Sequence, residues 1–390
     1  RGDGYVSQVL PGRIFHGAPT KTLREYLLDE TTVRSLVSFE NHGIFDNVDT
    51  RYNFGVVTFE NSGETDQFRG VFQHTDTSVL EDTAALVEIP REILTSFAPS
   101  SLVFPRVQSA DDLGVLASAF QFPAVSDEDR PWYAVPRRPL DKTADSERFY
   151  DDPTGCDYPI VTGRNCYSYS YDPTFVEDLE PPFQWSVDEE TNPDRSAKRR
   201  IREKSYRRLK RALYDAFDGT GSQKRFVNEL LREERGDELS LRDVLLPSTE
   251  YRLGFRRVAR ATDEKSTIAA VVPPGPVCDY SFYVVDPFEI SPERGDLTET
   301  PLHSVYERVF TDRELFVALG LLNSLPFDFL VGRKIDNSIP IYSFNETQVP
   351  ALTAGDDWFD YVSERAARLN CYGEAFTEMR ERLGGVTPAT

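Results

Sequence analysis

Lysine is scarce in this chain. Of its 44 basic residues only 8 are lysine and 36 are arginine, set against 65 acidic side chains and a formal net charge of −21. Abundant carboxylates with few lysine stems resemble adaptation to a salt-filled, haloarchaeal cytoplasm, so the global charge says little about partners and local departures from it say more. Cysteine is scarcer still. Cys156, Cys166, Cys278 and Cys371 form no C-x-x-C pair and share no histidine spacing suited to zinc. They read as reduced packing residues of a cytoplasmic protein, and no metal is expected. No apolar run approaches the roughly 20 residues of a membrane helix, so no membrane partner is expected. Met379 is the one methionine, which suggests a piece of a longer chain or a processed product.

Signs of catalysis are missing too. The four histidines, His16, His42, His74 and His303, are scattered, and no G-x-G-x-x-G, G-K-[ST] or G-x-S-x-G run occurs. A nucleophile with its base, or a phosphate-cradling loop, is therefore not legible.

What is present is a mixed pattern. GYVSQVLPGRIF reads as a strand, TKTLREYLLDET as a helix with Leu23, Tyr26 and Leu27 on one face, and VRSLVSFEN and YNFGVVTFENSG as two further strands. That order suits the closing part of a doubly wound α/β sheet whose last two strands form an antiparallel pair, with a further strand at 67–75. Residues 86–125 read as a helical bridge. From 126 the texture turns to irregular β structure with long loops, then SAKRRIREKSYRRLKRALYDAF and KRFVNELLREER as helices. A strand pair follows, and the chain closes on two long helices, RELFVALGLLNSLPFDFLVG and DDWFDYVSERAARLNCYGEAFTEMRERLG. The division expected is 1–85, 86–125, 126–350 and 351–390.

Charge is concentrated in two places. Arg195 to Arg211 holds ten basic residues and one acidic, leaving −30 for the rest of the chain. As a helix it places Arg200, Lys204, Arg207 and Arg211 on one stripe, with Tyr206, Leu209 and Leu213 opposite. That stripe is either a solvated face neutralising acidic neighbours or a surface that tracks phosphates. The second concentration, YRLGFRRVARATDEKSTIAAVVPPG, carries Arg252, Arg256, Arg257 and Arg260 within nine residues. A hairpin with local ion pairs and a ligand-reading strand are equally compatible with it. In a continuous strand Arg256 and Arg260 would share a face, with Arg257 opposite and paired with Asp263 or Glu264.

The run GFRRVARATDEKSTIAAVVPPG resembles the hallmark of the target-recognition domain in large adenine-specific DNA methyltransferases of restriction-modification and BREX-type phage-defence systems. The matching positions are Arg256, Val258, Ala259, Arg260, Thr262, Asp263, Glu264, Lys265 and Thr267, with Ser266 inserted. Two weaker likenesses flank it in the family's order. YPIVTGRNCYSYSYD supplies Gly163 and Arg164 at the glycine and basic positions, and ALGLLNSLPFDFLVGRKIDNSIPIYSFNETQVPAL supplies Leu322, Asn323, Ser324, Phe327, Asp328, Arg333 and Pro350. FENHGIFDNVDTRYNFGVVTF is similar to the family's last catalytic strands, which implies that Phe45 stacks on a flipped base.

The resemblance implies an α/β fold: a remnant of a doubly wound, Rossmann-like sheet followed by an α+β recognition domain. It implies double-stranded DNA as partner, read through Arg164, Arg200, Lys204, Arg207, Arg211, Arg252, Arg256, Arg260, Thr262, Lys265, Arg333 and Lys334. Arg256, Arg260 and the basic helix are expected to line one concave surface facing the catalytic remnant. The family uses S-adenosylmethionine, but neither its glycine motif nor its [ND]-P-P-[YF] motif stands here. No cofactor is therefore expected for this chain alone, which would need a missing N-terminal catalytic part or a partner subunit. The alternatives are a non-catalytic assembly subunit of a defence complex and the specificity half of a restriction endonuclease.

Overall fold

The computed structural model describes residues 4–50, 52–127, 129–130, 132–171, 184–260 and 263–389. By contact the chain divides into two units. One comprises Arg1–Arg130, Ala259–Ser266 and Leu325–Ala351, the other Pro131–Val258, Thr267–Ser324 and Leu352–Thr390. The division expected from the sequence kept 126–350 together. The difference arises because three stretches of that segment, 126–130, 259–266 and 325–350, group with the N-terminal unit.

The first unit is built on a five-stranded mixed sheet. Its strands are β1 (Tyr5–Pro11), β2 (Thr32–Glu40), β3 (Asn53–Glu60), β4 (Gln67–His74) and β5 (Val87–Pro90), in the order β1-β3-β2-β4-β5. Only β2 and β4 run parallel; β3 is antiparallel to both β1 and β2, and β5 is antiparallel to β4. The antiparallel pairing of β2 with β3 is the one the strand, loop, strand order led us to expect. β2 is central, and its run Leu36 to Phe39 is buried throughout because both faces of the sheet are covered. Leu36, Phe68 and Ile89 pack on one side with Phe15, Leu28 and Phe97, while Val37, Phe39, Val71 and Val79 form a smaller cluster.

The distant segment belongs to this unit through specific contacts. Leu330, on the Leu325–Gly332 helix, enters the main cluster. Asp336 accepts from Arg106 Nη2 (3.1 Å) and Asn53 Nδ2 (2.9 Å) and pairs with His16 Nε2 (3.3 Å). His16 and Arg106 together hold the Asp336 carboxyl down at about 2, although its burial pushes the other way. Arg24, wholly buried, donates to the carbonyls of Ile14 (3.0 Å) and Ser101 (2.7 Å), so its charge is spent on backbone.

The second unit combines small sheets with helices. Arg252–Arg256 lies between Ala269–Val272 and Phe282–Val285, antiparallel to both, and Pro136–Arg137 adds the fourth strand. The hairpin of this segment is thus Arg252–Arg256 paired with Ala269–Val272. A second sheet has the order Gln184–Ser186, Tyr158–Val161, Val277–Cys278. The basic stretch forms a helix, Ala197–Ala216, that packs Leu209 and Leu213 against Val227 and Leu231 of the Gln223–Arg235 helix.

The two long C-terminal helices are each broken. The first divides into Asp312–Leu322 and Leu325–Gly332, with Pro326 in the first turn of the second piece. A proline there has no N–H to lose from the helical ladder, so it marks a restart and not an interior. The second divides into Phe359–Asn370 and Thr377–Arg382 around Gly373, whose φ of 73° a glycine adopts at little cost. Among the described residues no helix is long and apolar enough to cross a membrane.

Candidate functional site

The strand Tyr158–Val161 ends in a tight turn. Asn165 Oδ1 accepts from the Thr162 backbone N–H (2.7 Å), and Thr162 Oγ1 accepts from the Arg164 N–H (3.2 Å). This closes a single 3-10 turn over Gly163–Asn165 and leaves Arg164 exposed. Gly163 is required by close approach, since a Cβ there would sit 2.9 Å from the Ser281 carbonyl oxygen. Its N–H donates to Ser281 Oγ (2.8 Å), and Asp279 Oδ1 accepts both the Ser281 N–H (2.7 Å) and hydroxyl (2.6 Å). Burial raises the Asp279 carboxyl to about 6, against the pull of those donors.

Arg256 ends its strand on this turn. Its Nε donates to the Cys166 carbonyl (2.7 Å), and its guanidinium lies 4.8 Å from the centre of the Tyr167 ring. A stacked guanidinium keeps its charge and its donor fork while losing rotamer freedom, so it is oriented in advance. Arg164 and Arg256 form no ion pair among the described residues. On a chain with 65 carboxylates, two such arginines beside a 37% exposed Tyr167 are a local positive patch.

Three segments far apart in sequence are joined at one buried residue, Ala269. Ala269 N–H donates to Asn323 Oδ1 (3.1 Å), and the Ala269 carbonyl accepts from both Asn323 Nδ2 (2.9 Å) and the Tyr169 N–H (2.9 Å). Tyr169 also donates from its hydroxyl to the Gly320 carbonyl (3.4 Å). The stretches carrying Arg164, Arg256 and Asn323 therefore form one constellation. Beside it, Gly320 is demanded by helix packing, because a Cβ would meet Val362 Cγ1 at 2.6 Å.

The basic helix is more occupied than its sequence suggests. Arg200 Nε (2.7 Å) and Lys204 Nζ (3.3 Å) both hold Asp145, a carboxylate with 1% exposure. Arg202 donates to Glu189 (2.8 Å) and Arg208 to Asp286. The neutralising role is therefore real for this half of the helix. Among the described residues, exposed Arg211 pairs only with Asp215, one turn on (3.4 Å), and exposed Arg207 has no ion pair.

The remaining residues singled out by sequence fall in different settings. Arg252 is 3% exposed and donates to the carbonyls of Glu250 (3.1 Å), Pro273 (2.9 Å) and Pro276 (2.8 Å), so it faces inward. Lys334 is equally buried, donating to the Glu346 carbonyl (2.7 Å) over the Phe97 ring. Neither side chain can reach a duplex from there, a correction to the sequence assignment of both. The strand stops at Arg256, so the expected alternation of Arg256, Arg257 and Arg260 does not apply. Asp263 accepts from the Arg260 backbone N–H (2.8 Å), and the Arg257 N–H donates to the Ser281 carbonyl (2.9 Å). Arg260 is exposed and groups with the first unit, while Arg256 belongs to the second. Lys265 is half-buried, Arg333 is held by Asp112 (3.2 Å) over Phe329, and Thr262 lies outside the described residues. Phe45 sits in the β2–β3 loop, 43% exposed, edge-on to Phe54 at 4.8 Å.

Sequence reasoning did not single out Tyr167, Ser281 or Asp279. Tyr167 stood in the quoted YSYSYD stretch, whereas Ser281 and Asp279 had no motif to mark them.

No protein-family model matches the sequence, and no curated protein matches it. Among solved structures the chain aligns along its full length with the type IIL restriction-modification enzyme MmeI in complex with DNA, at 10% identity and a TM-score of 0.45, covering 48% of that chain. A nuclease-deletion mutant of the type ISP restriction-modification enzyme LlaGI, in complex with a DNA substrate mimic, aligns over 95% of this chain and 30% of its own at 12% identity and a TM-score of 0.41. The type IIG restriction endonuclease BpuSI aligns over 99% of this chain and 47% of its own, at 12% identity and a TM-score of 0.36. The chain spans less than half the length of each.

Proposed function

We propose that this chain is the DNA-recognition portion of a site-specific adenine-N6 DNA methyltransferase serving restriction-modification or phage defence. The observation that carries the reading is the junction at Ala269, where the three motif-bearing segments meet through Tyr169 and Asn323. Segments that resemble one recognition domain in sequence thus share one hydrogen-bonded node, with the Arg164, Tyr167 and Arg256 patch on the first two of them. The first unit is read as the distal part of the catalytic fold, with Phe45 as the stacking aromatic for an extruded adenine. Arg164, Arg207, Arg211, Arg256, Arg260 and Lys265 are the proposed DNA contacts.

S-adenosylmethionine would serve the parent enzyme, and none is expected for this chain alone. Neither methyltransferase motif stands in the sequence. No step is therefore assigned to the cofactor in this chain.

A second reading, an assembly subunit that never meets bases, is favoured by the neutralised half of the basic helix. Titration of a duplex at several salt concentrations separates the two. A recognition domain shows log affinity falling with log salt, by roughly 0.9 per phosphate contact. An assembly subunit shows no saturable duplex binding at low salt.

A further inference from the structure

The second unit contains a pocket of about 250 Å³ that the DNA-reading role does not use. Its rim carries Arg137, Arg138, Lys204 and Arg208, and Arg252 also lines it. Ile201, Val277 and Val284 give it apolar walls. At this volume it is smaller than the roughly 300–1,000 Å³ of pockets for drug-sized ligands, so it suits a compact guest.

The charge around it does not balance. Arg208 and Arg137 share the single carboxylate Asp286, Arg137 at 3.5 Å. Lys204 shares Asp145 with Arg200 and also donates to the Pro139 carbonyl (2.8 Å). Arg138 is held by Asp141. Arg252 has carbonyl partners only, and the groups that act on its charge are Cys278 and Tyr171. Burial pushes the Cys278 thiol up to about 12, so it stays protonated and supplies no counter-charge. A guanidinium taken out of water without an anion is costly unless something compensates it. In a chain of net charge −21, with acidic residues available throughout, that compensation has not been built from the chain's own carboxylates.

We propose that this pocket binds a small phosphate monoester carried on a compact, largely apolar or planar body, of the size and chemistry of a nucleoside monophosphate. Several cations around one site favour a dianion over a carboxylate, and guanidinium forks match phosphate oxygens in pairs. The apolar walls accept the body. The same phosphate chemistry could come from free nucleotide or from a DNA strand, and the proposal commits to the free nucleotide.

The test is calorimetric titration of the full chain with deoxyadenosine monophosphate, inorganic phosphate and adenosine, alongside duplex binding by the same preparations. The variants are the rim double substitution Arg138→Ala with Lys204→Ala and, as a charge-matched control, Lys224→Ala with Arg225→Ala on the exposed face of the Gln223–Arg235 helix. Melting curves check that each variant is folded. The expected result is saturable binding of the monophosphate, at least tenfold tighter than phosphate or adenosine alone, weakened at least tenfold by the rim pair and unchanged by the control. The proposal is overturned by absence of saturable monophosphate binding or by equal affinity for phosphate and monophosphate. A rim variant that lowers duplex affinity alone, or that binds the monophosphate as the wild type does, overturns it as well.

Discussion

At the scale of single residues, the arginines of one nine-residue stretch have separated into different jobs. Arg252 is turned inward onto carbonyls, Arg256 is stacked and pointed, and Arg260 lies in the other unit. If Arg256 contacts a base, Arg256→Ala costs about 1–3 kcal/mol of discrimination at one position of the bound site, and Arg256→Lys recovers the salt slope but not the discrimination, because an ammonium lacks the fork. Competition binding with single-base variants of a bound duplex reads this out. Lys334 supports a different prediction. Burial pushes its ammonium down to about 7. An unfolded lysine titrates near 10.4, so across about pH 7 to 10 the unfolded chain holds a proton that the folded chain has released, and stability rises with pH at up to roughly 1.4 kcal/mol per unit. Below pH 7 both states are protonated and the full cost of the buried charge stands. Lys334→Met should therefore melt higher than the wild type at pH 6.5 and lose that advantage by pH 9.5. An advantage equal at both pH values would contradict the assignment.

At the scale of elements, Asn323 is the residue on which the recognition constellation turns. Removing its amide leaves the buried Ala269 N–H without its acceptor, so Asn323→Ala is expected to cost about 1–3 kcal/mol in chemical denaturation. Asn323→Asp should cost at least as much, since it sets a carboxylate against the Ala269 carbonyl. Normal stability in both variants would remove the junction from the account. Much of this level was legible in the sequence: the first three strands, the basic helix and the hairpin at Arg252–Val272 follow from alternation and helical spacing. The broken C-terminal helices were not read correctly, because apolar residues continue through Ser324 and Pro326 and periodicity alone does not register a restart. The continuation of a strand beyond Arg256 was likewise misread, since Val258 and Ala259 have β-compatible side chains while Asp263 instead holds the Arg260 backbone in a turn. Ser281 and Asp279 were invisible because their roles are tertiary, set by backbone approach across more than a hundred residues.

At the scale of the whole molecule, a strongly acidic chain still carries cations that meet no carboxylate among the described residues. Arg164 and Arg256 at the Gly163 turn, Arg207 on the basic helix and Arg252 at one pocket are among them. The sequence showed where positive charge is concentrated, but not which of it is already neutralised. Asp145 and Asp286 lie far from the helix they pair with in chain order. The central claim is that the chain reads DNA sequence. The most direct measurement is selection of duplexes by this chain from a random library at low and moderate salt, followed by sequencing of the bound pool. The account predicts enrichment of one short motif containing adenine, lost at one or more positions in the Arg256→Ala variant. A pool that remains as random as the input, at salt where duplex binding is saturable, would contradict it.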